Sequence, residues 1–292
     1  MLKTIISDLK KSLLSIQFAF SFLTLLVLIF FSACGKDEYS NFNVFMHILN
    51  CDKGFWLKHI GFNSAYVFQT GFSSHWLAIF LPIITSFACV PVFCDEYKSN
   101  YWRLVVPKTG RKRYLISKYV TCVIVSAIMV IVAFLIFAVA CFVLLPTPNE
   151  YPKEMFVIPW YCGNTYIEST GLYNNYLFFV LSRIFTALVI AVTSGLFSFT
   201  ISAVTMNKYV SMGLPVMLYF FLRQIALSHT VYSNNPNYKY QFLDNVGRFD
   251  SIEYWFSDYM DSPMYMAFIY FIIIDLIMFI IYYFTMNRRL KE

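Results

Sequence analysis

The sequence predicts an all-α membrane protein, with six transmembrane helices and an N-terminal amphipathic helix lying on the membrane surface. Three observations predict it. Of 292 residues, 59% are hydrophobic and 13% charged, about half the ~25% charged share of a soluble domain. The hydrophobic residues gather into runs of about 20, the length that crosses a hydrocarbon core of ~30 Å at ~1.5 Å per residue. The runs are also continuous. Lipid offers the backbone no hydrogen bonds, so a span is a helix or part of a closed barrel, and a barrel strand would alternate over ~10 residues.

The elements follow in order, in one membrane domain covering 1–292. Residues 1–12 combine Lys3, Lys10 and Lys11 with Leu2, Ile5, Ile6 and Leu9 at helical spacing, the pattern of a helix lying flat in the interface. The first span is 13–34. Its end, Phe31-Ser32-Ala33-Cys34, looks like a lipoprotein cleavage site, but the apolar stretch exceeds the ~7–15 residues of a signal-peptide core, so it is expected to stay as a span. A loop, 35–75, is long enough to carry structure of its own. The second span, 76–94, contains Pro82 and Pro91, which are expected to bend it. The charged loop 95–118 leads to the third span, 119–145, which stops at Pro146-Thr147-Pro148. After the loop 149–175, the fourth span, 176–204, is long enough to require tilt. Met206-Asn207-Lys208 turns the chain into the fifth span, 209–227. The loop 229–263 and the sixth span, 264–286, complete the plan.

Charge fixes the orientation. The N-terminus, the 95–118 loop, the Lys208 turn and the C-terminus hold fourteen Lys and Arg, whereas the opposite loops hold six over a much greater length. This positive-inside bias places both termini in the cytoplasm and the loops 35–75, 149–175 and 229–263 outside the cell membrane. The net charge of +6 therefore reads as a topology signal facing membrane lipid rather than as a nucleic-acid surface. Cys89, Cys122 and Cys141 fall inside apolar runs and read as small buried hydrophobes. Cys51 and Cys162 lie in loops on the same side, either as a disulfide or as two free thiols.

Catalytic constellations are missing from the sequence. His47, His59, His75 and His229 are widely separated, without the i, i+4 pair of a helical metal site. Gly35-Lys36 runs into Asp37 and lacks the other residues of a phosphate-binding loop. No enzymatic activity, metal or cofactor is expected in this chain, and any ATP would be bound by a partner.

The most informative stretch is Asp95 to Lys118. It resembles the loop between the second and third spans of type-2 ATP-binding-cassette (ABC) permeases. In that family an acidic residue closes the second span, a short amphipathic coupling helix and a Pro-x-x-x-Arg element follow, and a lysine opens the third span. Glu96, Pro107, Arg111 and Lys118 occupy those places, while Asn100-Tyr101 stands where the family often has Gly-Thr. The resemblance implies a permease subunit of an ATP-driven exporter. It would pair with a second copy or a sister permease and dock two cytoplasmic ATPases that bind ATP and Mg. The coupling helix would present Tyr97, Tyr101, Trp102 and Leu104, beside Lys98 and Arg103, to a groove on the ATPase. The other reading of the loop is a basic segment that holds topology and lies on anionic lipid.

Within the spans, Arg183, Arg223 and Asp275 are exceptional, because each charge at depth costs at least a few kcal/mol unless paired or hydrated. They read either as a lining for a polar cavity or as a structural pair joining Asp275 to one of the arginines. Ala187, Ala191 and Gly195, with Ser194, Ser198 and Ser202 beside them, form small-residue rows that let helices approach closely. The wealth of Phe and Tyr points to a hydrophobic or amphipathic cargo, a peptide or drug rather than a lipid or glycan. The rival function is a sensor or immunity protein that binds an external peptide without transporting it. An intramembrane enzyme would need paired acidic or histidine groups, and Asp275 stands alone.

Overall fold

The computed structural model describes residues 2–36, 41–45, 64–72, 75–145, 176–217 and 264–291. Helix α1 (Leu2–Leu13) and helix α2 (Ile16–Ser32) meet at a 61° bend. Ser15 makes the corner: its hydroxyl donates to the Ser12 carbonyl at 2.7 Å and accepts the Phe18 amide at 3.1 Å, an N-cap that starts α2 afresh. Helices stand where the N-terminal amphipathic helix and the first span are expected. At the other end of α2, the Asn43 amide donates to the carbonyls of Phe30 and Phe31 at 3.1 and 2.9 Å, closing a helix end in the way a C-cap does. Asn43 is placed there by a small antiparallel hairpin of β1 (Cys34–Lys36) and β2 (Asn41–Asn43).

Helix α3 (Ser64–Phe72) packs on α2 and on the far end of the third span. Phe30, Phe45, Phe68, Phe72, Phe134 and Phe137 interlock there, with ring centroids from 4.8 to 6.4 Å apart. Part of the 35–75 loop is therefore structured, and the helix in it packs on the bundle.

Helix α4 (His75–Lys98) runs unbroken through Pro82 and Pro91 and extends a turn beyond the expected end of the second span. A turn containing Asn100, at φ 56°, leads to the short α5 (Trp102–Thr109). Gly110, at φ 82°, then separates α5 from α6 (Arg111–Leu144), a conformation that suits a residue with no Cβ. Helix α6 begins before the expected start of the third span. Residues 111–118, expected in the loop, are the first two turns of α6. Arg111, Lys112 and Arg113 look like loop to a hydropathy window, but Lys and Arg are good helix formers and all three are exposed.

Helix α7 (Tyr176–Thr205) and α8 (Met264–Arg289) complete the long helices. Between them, residues 208–217 are helical and open the expected fifth span. The Asn207 side chain caps them by accepting the Tyr209 amide at 3.0 Å. The rest of that span, with Arg223, lies outside the described residues, as do Cys51, Cys162 and most of the three long loops.

Among the described residues, four helices are long and apolar enough to cross a membrane: Ile79–Lys98, Arg111–Leu144, Arg183–Thr205 and Phe271–Arg289. The bent pair α1–α2 makes up to five. The fold is thus a multi-pass helical membrane protein. Helices α4, α6 and α7 form its centre, α2 lies against α4 and α6, and α8 rests mainly on α7. Buried residues make up 61% of the α7 window and 11% of that of α8, so α8 is peripheral within the described residues.

Candidate functional site at the basic end of the bundle

The site begins with a charge problem. Glu96 ends α4 and Lys118 sits in the second turn of α6, and both are buried, with side chains 4% and 8% exposed. Isolated charges at such positions would be costly unless paired. Here four groups neutralise one another. The Lys118 ammonium lies 2.7 Å from the Asp8 carboxylate and 2.5 Å from Glu96, and Lys11 reaches the other Glu96 oxygen at 2.7 Å. The Ser117 hydroxyl donates to the second Asp8 oxygen at 3.1 Å. Lys118 also lies 5.5 Å from the centre of the Tyr114 ring, and Lys11 lies 4.6 Å from that of Tyr101. The surface helix α1 is thereby tied to the ends of both helices that flank α5. A cavity of about 20 Å³, lined by Asp8, Glu96, Lys118, Thr121, Cys89 and Cys122, adjoins the cluster, and a space of this size holds a water molecule.

Helix α5 is amphipathic at the expected 3.6-residue period. Trp102, Val105, Val106 and Thr109 turn inward, whereas Arg103, Leu104, Pro107 and Lys108 are exposed, Leu104 by 67%. The Gly110 amide closes the helix on the Val106 carbonyl at 2.8 Å. Two aromatic side chains expected at the surface are packed instead. Tyr97 stacks on Trp102, 6.1 Å between centroids and 13° between planes, and both lean on the core. An indole that half-buries its ring against a neighbouring helix stabilises α5 from behind, which leaves its outward face to Arg103, Leu104 and Lys108.

The eight residues singled out in this loop therefore divide. Glu96 and Lys118 lie inside, Trp102 is half-buried, and Lys98, Tyr101, Arg103, Pro107 and Arg111 are at the surface. Sequence reasoning missed Asp8 and treated Lys11 only as a topology charge. The available signal was Asp8 itself, the sole acidic residue in an otherwise basic 1–12 segment. Next to α5, between the α1–α2 corner and the end of α4, a groove of about 410 Å³ is lined by Lys11, Gln17, Asp95, Glu96, Ser99 and Tyr101. A further ion pair, Lys208 to Asp95 at 3.5 Å, joins the turn after α7 to α4.

Deeper in the bundle, the small-residue rows of α7 pack within the chain. Ala187 and Ala191 are buried, and a Cβ on Gly195 would meet the Ser126 hydroxyl of α6 at 2.7 Å. Ser194 bonds Thr85 of α4 at 3.1 Å, and Ser86 bonds Ser198. Ser202 turns its hydroxyl back to the Phe199 carbonyl at 2.6 Å. Cys89, Cys94, Cys122 and Cys141 are buried free thiols.

Asp275 does not pair with Arg183. One carboxylate oxygen of Asp275 accepts from the Thr193 hydroxyl of α7 at 3.3 Å, and the Tyr119 hydroxyl of α6 donates to its backbone carbonyl at 2.9 Å. Asp275 is therefore level with Thr193, and Arg183 lies ten residues, or ~15 Å, up the same helix, where it is buried. The separation exceeds the few Å that counting residues along each span implies, because α7 and α8 are staggered. A scan of this chain against protein-family models and a search of curated proteins both returned no match.

Proposed function

We propose that the chain is the membrane-spanning permease subunit of an ATP-driven exporter of the type-2 ABC kind, moving a hydrophobic or amphipathic peptide or drug outward. The observation that carries the reading is α5. A short helix stands apart between two long helices at the end where charge counting places the cytoplasm, with Arg103, Leu104 and Lys108 facing out. The two long helices that flank it are joined to each other through Glu96 and Lys118. A soluble ATPase gripping α5 would push on α4 and α6 together, and through Asp8 on α1, so nucleotide-driven closure would be transmitted to the spans. ATP and Mg belong to that partner, the chain itself performs no catalysis, and a second permease copy or sister subunit completes the assembly.

The test is purification from native membranes with identification of bound subunits. The wild type should bring down an ATPase whose hydrolysis depends on the permease. Reversing Arg103 and Lys108 to Glu, with Leu104→Asp, should abolish that association while leaving the thermal midpoint in detergent unchanged, because these side chains face out. Should no ATPase accompany the wild type, the export reading fails, and a receptor or immunity protein binding an external peptide takes its place.

A further inference from the structure

Asp275 is a carboxylate that the bundle leaves partly unsatisfied. It lies near the middle of α8, ~16 Å from Met264 and ~21 Å from Arg289 along the axis. It belongs to the stripe of α8 that faces α7 and α6, with Phe279, Tyr282 and Met286. Around it stand Thr193 from α7 and Tyr119 from α6, and the Tyr119 and Phe279 rings meet edge to face at 4.9 Å. One oxygen has the Thr193 hydroxyl; the other, Oδ1, is buried and has no hydrogen-bond partner. Among the described residues the ion pairs are those of Lys11, Lys118 and Lys208, and none involves Asp275. Orphaned buried oxygens are rare, and a carboxylate at membrane depth with no ion-pair partner among the described residues marks a place where a ligand can supply the positive charge.

From this we infer that the Asp275–Thr193–Tyr119 cluster binds an organic cation, the ammonium, guanidinium or phosphonium-like head of an amphipathic ligand that enters from within the membrane. A hard inorganic cation fits poorly, since such ions take about six or more oxygens and the cluster offers one carboxylate and two hydroxyls. A large, weakly hydrated cation needs fewer. Its charge is met by one carboxylate and by aromatic faces, and the rest of its surface is satisfied by apolar contact. Access is also appropriate. Asp275 is only half-buried, and its neighbours Ile272 and Leu276 are 58% and 57% exposed on the outer face of α8, the face that meets lipid. This inference rests on the export reading for its biological meaning, where it narrows the cargo to cationic amphiphiles.

Binding can be tested without any ATPase, so its outcome is independent of whether the chain is an exporter. The purified protein in nanodiscs is titrated with tetraphenylphosphonium by equilibrium dialysis, with neutral triphenylphosphine oxide as comparator. Wild type should bind the cation saturably. Asp275→Asn should weaken it at least tenfold without changing retention of the neutral comparator, and Asp275→Glu should retain most of the affinity. Thermal midpoints confirm that both variants are folded; if Asn disrupts the fold, Thr193→Val supplies the same comparison with the carboxylate intact, and a loss of at least threefold is expected. Absence of saturable binding by the wild type, or equal binding by Asp275→Asn, overturns the assignment.

Discussion

Glu96 and Asp275 are both carboxylates held away from bulk water, yet the protein treats them in opposite ways. Glu96 receives two lysines, and the nearby Asp8 receives a lysine and a serine hydroxyl. Asp275 receives one hydroxyl at 3.3 Å and keeps a bare oxygen. The difference teaches where this molecule requires rigidity. Four mutually neutralising groups have one good arrangement, so they fix α1, α4 and α6 relative to one another around α5. A single carboxylate with weak partners fixes little and remains available to a ligand.

The comparison breaks first at Lys118. Lys118→Met removes the shared cation and leaves Asp8 and Glu96 facing each other across a buried gap. Losing one partner of such a pair costs ~3–5 kcal/mol, so thermal unfolding in detergent should shift strongly downward. Adding Glu96→Gln to that background should recover part of the loss, with a coupling of ~0.5–3 kcal/mol. A Lys118→Met variant as stable as the wild type would show that the cluster is hydrated and does not hold the junction.

An intermediate effect is expected in the seam between α4, α6 and α7, which is polar without being charged. Gly195→Val inserts branched carbon where a Cβ already meets the Ser126 hydroxyl at 2.7 Å, and overpacking of this kind costs ~1–3 kcal/mol. Gly195→Ala should cost less, and Ser126→Ala, which removes the obstructing oxygen, should render it nearly silent. Thermal midpoints of the three variants measure this. A Gly195→Val protein that melts with the wild type would mean that α6 and α7 separate more easily than their contact implies.

Much of the helical plan was legible because hydropathy and bilayer thickness act on long windows. Spans at 13–34, 76–94, 119–145 and 176–204 correspond to α2, α4, α6 and α7 with shifts at their ends. The shifts have a common cause: charged helical turns beyond the membrane, such as 95–98 and 111–118, carry no hydropathy signal. The short helix α5 was implied by the resemblance of the 95–118 loop to a coupling loop, but not which aromatic residues it would pack. Glu96 and Lys118 were marked by the loop pattern, and nothing local to either named the other as its partner. Their pairing with Asp8 depends on α1 folding back at Ser15, a tertiary event. Asp275 was found from its rarity in a span, whereas its neighbours follow from the stagger of α7 against α8, which composition does not encode.

The smallest expected effect is the sharpest check on the Asp275 side of the comparison. Were Asp275 paired with Arg183, Asp275→Asn and Arg183→Gln would each strand a charge, and the double change would recover stability. The two residues lie ~15 Å apart along the bundle by the level of Thr193, beyond the reach of a direct pair, so their effects should add to within ~0.3–0.5 kcal/mol. Asp275→Asn alone replaces a partly unsatisfied carboxylate by a neutral amide of the same shape, and it should leave stability within ~1 kcal/mol of the wild type. Glu96→Gln should cost more than that, since it weakens the bonds of two lysines at once. A thermal-stability cycle in detergent over these single and double variants measures all the quantities together. If Asp275→Asn proves the more damaging of the two carboxylate changes, Asp275 is the structural group and the contrast between the two sites is reversed.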